Sequence, residues 1–186
     1  MYSSLEEVRN DCLKCERCAL CSTRNNLVFG EGVPDAKIMF VGEGPGEQED
    51  LQGRPFVGRS GRLLDYYLDA FDLDRTKNVY IANIVKCRPP QNRDPRPDEE
   101  DACIHWLREQ TRVINPKIIV CLGRIAATKL ISPDFKVTVQ HGEFFKKGRF
   151  LMMGTFHPAA LLRNPGNKPL AYEDFIALRE KIKEVL

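Results

Sequence analysis

Apolar residues gather in four short runs, Lys37–Val41, Val79–Val85, Lys117–Leu122 and Phe150–Phe156, each rich in Ile, Val, Phe or Met. Consecutive apolar positions over so short a length predict strands buried on both faces. Between the runs the pattern changes to a helical one. Ser60–Phe71 places Leu63, Leu64, Tyr67, Leu68 and Phe71 on one side of a helix. Asp98–Ile114 follows Pro97, and Pro97-Asp98-Glu99-Glu100 is a good helix start, with acids at the positive end of the dipole. Further helices are predicted over Arg124–Ile131, after Gly123, and over Leu170–Leu186. The segment Phe135–Phe145 reads as a small hairpin. Strands alternating with helices predict an α/β fold, a parallel sheet of four strands with helices on both faces, in a single domain over residues 1–186. In such folds ligands bind beyond the carboxyl ends of the strands.

Composition narrows the class. Hydrophobic residues make up 42% and charged residues 29%, as in a globular protein. The longest strictly apolar run is Ile118–Leu122, whereas a membrane span needs roughly 20 such residues. The first residues carry neither a basic region nor an apolar stretch of the secretory kind, so a cytoplasmic, nucleoid-associated location is expected. Net charge is +2 and says little about partners, but Lys86, Arg88, Arg93 and Arg96 stand against one Asp94 and suggest a local basic patch. Four of the 12 prolines, Pro89, Pro90, Pro95 and Pro97, stiffen the same segment into an extended loop.

The seven cysteines are odd in number, which argues against a disulfide framework. Four follow one another as Cys12-x2-Cys15-x2-Cys18-x2-Cys21, and Cys87, Cys103 and Cys121 lie far downstream. Spacing of this kind lets neighbouring thiolates reach one ion or cluster. The N-terminal run departs from a ferredoxin motif in its last gap and in Ser22 after it. A second grouping joins one N-terminal pair to Cys87 and Cys103. Zinc and an iron–sulfur cluster both suit four thiolates, and spacing alone does not choose between them. Cys121, inside an apolar run, reads as a buried strand residue.

The strand ends carry the polar chemistry. Gly42-Glu43-Gly44-Pro45-Gly46-Glu47-Gln48-Glu49-Asp50 follows the first run. It lacks the third glycine of a dinucleotide fingerprint and the Gly-Lys-Ser/Thr of a phosphate loop. Its acids suit a general base or a polar site for a neutral ligand. In Gly53-Arg54-Pro55-Phe56-Val57-Gly58, Phe56 is either a core ring or a plate for stacking a planar ligand. Asn83 stands in an otherwise apolar strand, where its amide either bonds backbone or reads a donor–acceptor edge. His157, before Pro158, is either a structural histidine or an electrophile that stabilises a developing anion. Leu161-Leu162-Arg163 sets apolar bulk beside a cation, a suitable wedge against a nucleic-acid stack.

Taken in order, Gly42–Gly46 with Glu49-Asp50, Gly53–Gly58, Asn83 and His157–Arg163 closely resemble the family 4 uracil-DNA glycosylases. Cys15, Cys18, Cys87 and Cys103 resemble that family's four ligands for a [4Fe–4S] cluster, with Cys12 and Cys21 extra to the pattern. The resemblance implies a three-layer α/β/α fold and hydrolysis of the N-glycosidic bond of a flipped-out uracil in single- or double-stranded DNA. It implies that Phe56 stacks on uracil, Asn83 reads its Watson–Crick edge, and His157 bonds O2 and stabilises the leaving anion. The backbone of Gly42, Glu43 and Gly44 lines the pocket, and Leu161, Leu162 and Arg163 meet the DNA stack. Related families hold Asp, or in a covalently trapping form Gln, where this chain has Gly44. Glu43 is therefore the first candidate to position the attacking water and Glu49 the second. With no lysine in these motifs, a monofunctional enzyme is expected, acting as a monomer, with no recognisable sliding-clamp signal and no membrane association. An electron-transfer iron–sulfur protein and a zinc-stabilised binding module are the rival readings.

Overall fold

The computed structural model describes residues 1–186. The four apolar runs form the parallel core of one sheet, as β2 (Ile38–Gly42), β3 (Val79–Asn83), β4 (Ile118–Leu122) and β6 (Phe150–Thr155). The expected count of four is corrected to six by an edge strand on each side. β1 (Glu31–Gly32) runs antiparallel to β3, and β5 (Phe144–Lys147) antiparallel to β6, giving the order β1-β3-β2-β4-β6-β5.

The hairpin expected over Phe135–Phe145 is displaced. It is made by β5 and β6, with Lys147 opposite Phe150 and Gly148 at φ +58 in the turn. That left-handed backbone suits glycine, so the reversal sits there. Val137–Gln140 is instead a helical turn, α6.

Side chains alternate between two cores. Met39, Val41, Ala82, Ile119 and Cys121 face one side, against α1 (Leu5–Cys12), α4 (Pro97–Ile114) and α5 (Arg124–Leu130). Ile38, Phe40, Ile81, Val120 and Met153 face the other, against α3 (Arg59–Ala70), α7 (Pro158–Arg163) and α8 (Lys168–Val185). The period-2 pleat thus produces three layers, with the sheet buried on both faces. α2 (Glu47–Gln52) completes the helices and ends at Gly53, φ +70.

The connections define where a ligand can enter. From β2 the chain passes to β3 on one side, then crosses to β4 on the other. The loops after β2 and β4 therefore diverge and open a crevice at the carboxyl edge. Register brings the strand ends into line there, with Gly42 opposite Asn83 and Leu122 opposite Thr155.

Candidate active site

A cleft of about 770 Å³ opens at this crevice, lined among others by Glu43, Gly44, Phe56, Asn83, Gly123 and His157. Five of these are residues singled out from the sequence. Gly123, φ +90, was read only as a helix start; a Cβ there would lie 2.7 Å from Cβ of His157, so glycine is what lets the β4 and β6 loops meet.

Gly42 forms the floor. A Cβ on it would stand 2.5 Å from Cζ of Phe56 and 2.6 Å from Oδ1 of Asn83. Asn83 is 2% exposed, and its Oδ1 is the one buried side-chain polar atom without a hydrogen-bond partner. Leaving such an atom unpaired costs about 1–3 kcal/mol, which a ligand donor would recover. The ring of Phe56 lies 5.6 Å from that of His157, tilted by 32°.

His157 caps α7 with its own side chain. Nδ1 accepts the Ala159 N–H at 3.0 Å, so in the neutral ring the proton sits on Nε2. Burial, reinforced by the nearby Arg163 charge, pushes its pKa down to about 4. The ring is therefore uncharged near neutrality and holds a single N–H donor.

Glu43 is half-buried, and its carboxyl is pushed up to about 7 by burial and by the neighbouring Asp94 carboxyl group. Asp94 in turn accepts from Arg124 Nη2 at 2.8 Å. Nothing in the sequence joins Asp94, in the loop after β3, or Arg124, at the start of α5, to Glu43; only the fold brings them together.

Three expected roles meet geometry that changes them. Glu49 is buried, and its Oε1 accepts the N–H groups of Val57 and Gly58 at 2.9 and 3.0 Å. That oxygen is thus committed to the loop that carries Phe56. Leu161 is 2% exposed and packs in the core, whereas Leu162 is half-buried and Arg163 exposed at the cleft. Lys86, read as part of a surface basic patch, is fully buried, with Nζ donating to the Asn83 carbonyl at 3.0 Å and to Gln110 Oε1 at 2.6 Å. Arg93 is paired to Glu99 through both nitrogens of its fork. The cations at the cleft are Arg93, Arg124 and Arg163.

A separate small cavity is bordered by Cys15, Cys18, Cys21, Cys87 and Cys103. Trp106 Nε1 donates to Cys15 Sγ at 3.2 Å, Arg24 Nη1 to Cys87 Sγ at 3.4 Å, and the Lys86 N–H to Cys103 Sγ at 3.3 Å. No three His, Cys, Asp or Glu side chains are grouped as one metal ion would require. Cys12 and Cys121 lie wholly inside the core, and burial pushes both thiols up to about 12. No helix is long and apolar enough to cross a membrane.

A family model described as the uracil DNA glycosylase superfamily matches residues 29–180. The type-4 uracil-DNA glycosylase of Thermotoga maritima is 44% identical, across 97% of this chain and 95% of its own length. That of Sulfurisphaera tokodaii is 44% identical, across 95% and 84%. That of Archaeoglobus fulgidus is 40% identical, across 95% and 92%.

Proposed function

The chain belongs to the uracil-DNA glycosylase superfamily, among its type-4 enzymes, and from that premise we propose how its cleft excises uracil. The reaction is hydrolysis of the N-glycosidic bond of uracil in DNA, which releases free uracil and leaves an abasic site for repair. The observation that carries the reading is the unpartnered Asn83 Oδ1, buried beside Phe56 and His157 over a floor that only glycine leaves open.

Uracil is planar and presents an N3–H donor between two carbonyl acceptors. Phe56 stacks on its face, and the Asn83 amide meets its edge with Oδ1 toward the N3–H. The flipped nucleotide is drawn from the stack at a cost of about a few kcal/mol, least in single strands. As the bond from C1′ to N1 stretches, negative charge grows on the base. His157 Nε2–H, aimed at O2, stabilises that charge by roughly 3–4 kcal/mol. Water attacks C1′, the C1′–N1 bond breaks, and its electron pair leaves with uracil. Glu43 in its ionised form orients the water and accepts its proton; Glu49, with one oxygen held by backbone, is the weaker candidate. No lysine lines the cleft, which supports a monofunctional enzyme. Leu162 and Arg163 face the DNA, while Leu161 anchors their helix in the core.

Cys15, Cys18, Cys87 and Cys103 would hold a [4Fe–4S] cluster. Four thiols drawn from three segments border one cavity, the soft donor set that such a cluster takes. When bound, the cluster supplies a covalent tie among three segments of the chain. N–H donors to three of the four sulfurs match what a thiolate ligand requires.

The test is uracil release from a single-stranded oligonucleotide carrying one uracil, read as alkali-sensitive cleavage, with a thymine-only strand as control. Cleavage at uracil alone is expected, with loss in Asn83→Ala. Iron-loaded protein that released no uracil would overturn the reading.

A further inference from the structure

Arg75 lies in the turn before β3, is only 8% exposed, and takes no part in the chemistry above. Both terminal nitrogens of its guanidinium are nonetheless engaged, each by two acceptors. Nη1 donates to the Pro55 carbonyl at 2.6 Å and to Glu31 Oε2 at 3.1 Å. Nη2 donates to the Phe56 carbonyl at 2.9 Å and to Asp65 Oδ1 at 2.8 Å. Two successive carbonyls therefore sit on the two prongs of one planar fork, a pairing a lysine cannot reproduce.

Those carbonyls belong to an unusual piece of backbone. Phe56 has φ +51, in the left-handed region that residues with a Cβ disfavour. Its conformation persists only where the surroundings over-determine it. On the other side of the same loop, Glu49 takes the N–H groups of Val57 and Gly58. A buried cation thus holds the carbonyls of residues 55 and 56, and a buried anion holds the amides of residues 57 and 58. From below, α3 presses directly on the loop, since a Cβ on Gly61 would stand 2.0 Å from the Phe56 carbonyl oxygen. The ring that results is set against the Gly42 floor and 5.6 Å from His157.

We propose that Arg75 is a positioning residue that fixes the Phe56 ring as the stacking plate for uracil, by holding the Pro55 and Phe56 carbonyls on its fork. The inference rests on the reading of Phe56 as that plate. A plain structural role would act instead through the ion pair with Glu31 on β1, which also bonds Arg54.

The test uses the full-length, iron-loaded enzyme, with the excision rate on a single-stranded uracil oligonucleotide, inhibition by free uracil, and the thermal midpoint as separate readouts. Phe56→Leu, Arg75→Met, Arg75→Lys, Glu31→Gln and the Phe56→Leu/Arg75→Met pair are compared. Arg75→Met is expected to weaken uracil inhibition and raise KM about tenfold, the size of one lost base–aromatic stack. Arg75→Lys should fall between it and the parent. Glu31→Gln, which leaves both carbonyl contacts in place, should lower the thermal midpoint without changing uracil inhibition. In the double variant Arg75→Met should add nothing to Phe56→Leu, because both act through one ring. Should Arg75→Met fail to fold, Arg75→Lys paired with Phe56→Leu carries the same cycle. Free energies that add in the double variant, or unchanged uracil inhibition in the Arg75 variants, would overturn the proposal while leaving Phe56 as the plate. Unchanged uracil inhibition in Phe56→Leu would instead remove the plate itself, and Arg75's role with it.

Discussion

At the scale of single residues, the proposed chemistry depends on the protonation states that the surroundings favour. His157 Nδ1 is occupied by the Ala159 N–H, so the neutral ring holds its proton on Nε2. Protonating the ring would add a second N–H where an acceptor is needed, and burial opposes the charge as well. His157→Ala is expected to lower kcat by about 100- to 1,000-fold, the loss typical of one preorganised donor to a developing anion. Single-turnover excision measures it. A folded, iron-containing variant with undiminished kcat would remove His157 from the mechanism. Glu43 behaves in the opposite way. Its folded pKa, about 7, lies above the ordinary 4.5, so the native state binds more protons than the unfolded chain between those values. Stability from this group is therefore present at low pH and lost as pH rises through about 7. Glu43→Gln mimics the protonated form. It should raise the thermal midpoint at pH 8 relative to the parent, converge with it below pH 4.5, and abolish the rise of excision rate through about pH 7. Equal midpoints at pH 8 would show that the carboxylate is not strained by its surroundings.

At the scale of elements, tight approaches transmit the fold to the site. α3 follows its N-cap Gly58 and turns Gly61 onto the Phe56 carbonyl with no room for a side chain. Gly61→Ala should destabilise by about 2 kcal/mol through overpacking and weaken inhibition by free uracil, because the displaced loop carries the ring. Denaturant unfolding and uracil titration check the two effects, and a variant with normal uracil inhibition would show that α3 does not set the ring. Much of this architecture was legible in the sequence. Four strands buried on both faces announce themselves as continuous apolar runs, and α3, α4, α5 and α8 as apolar stripes. Glu31–Gly32 was not legible, because a two-residue polar edge strand has no period to read. α2 and α7 were missed because six residues make too few turns to show a stripe. The site divides in the same way. That Gly42, Asn83 and His157 lie together at the crevice was legible because they stand at strand ends, where such folds open to ligands. Leu161 was misjudged because Leu161 and Leu162 look alike in sequence, and only the orientation of α7 sends one into the core. Arg75, 19 positions from the Phe56 carbonyl it holds, left no local signal.

At the scale of the whole molecule, the segment before the sheet is anchored on both sides of its cysteines. α1 buries Val8 and Cys12 in the core against α4. Asn25 and Asn26 donate to the buried Asp50 carboxylate at the end of α2. Between these anchors lie Cys15 and Cys18, facing Cys87 and Cys103 across one cavity. The proposed cluster would close a loop of chain that otherwise has little apolar burial of its own, Leu20 apart. Its removal should therefore act locally before it acts globally. Oxidative loss of the cluster is expected to open the peptide bonds after Arg17 and Arg24 to trypsin while β2, β3, β4 and β6 stay protected from hydrogen exchange. Cys87→Ser and Cys103→Ser should lose iron and sulfide and show the same cleavage, whereas Cys121→Ser, deep in β4, should keep both. The extra thiols sharpen the test. Cys21 borders the cavity and Cys12 does not, so loss of iron in Cys21→Ser with retention in Cys18→Ser would move the ligand set by one turn. Retention in Cys87→Ser and Cys103→Ser together would place the metal centre in the N-terminal run alone and detach it from the loop that leads into the cleft.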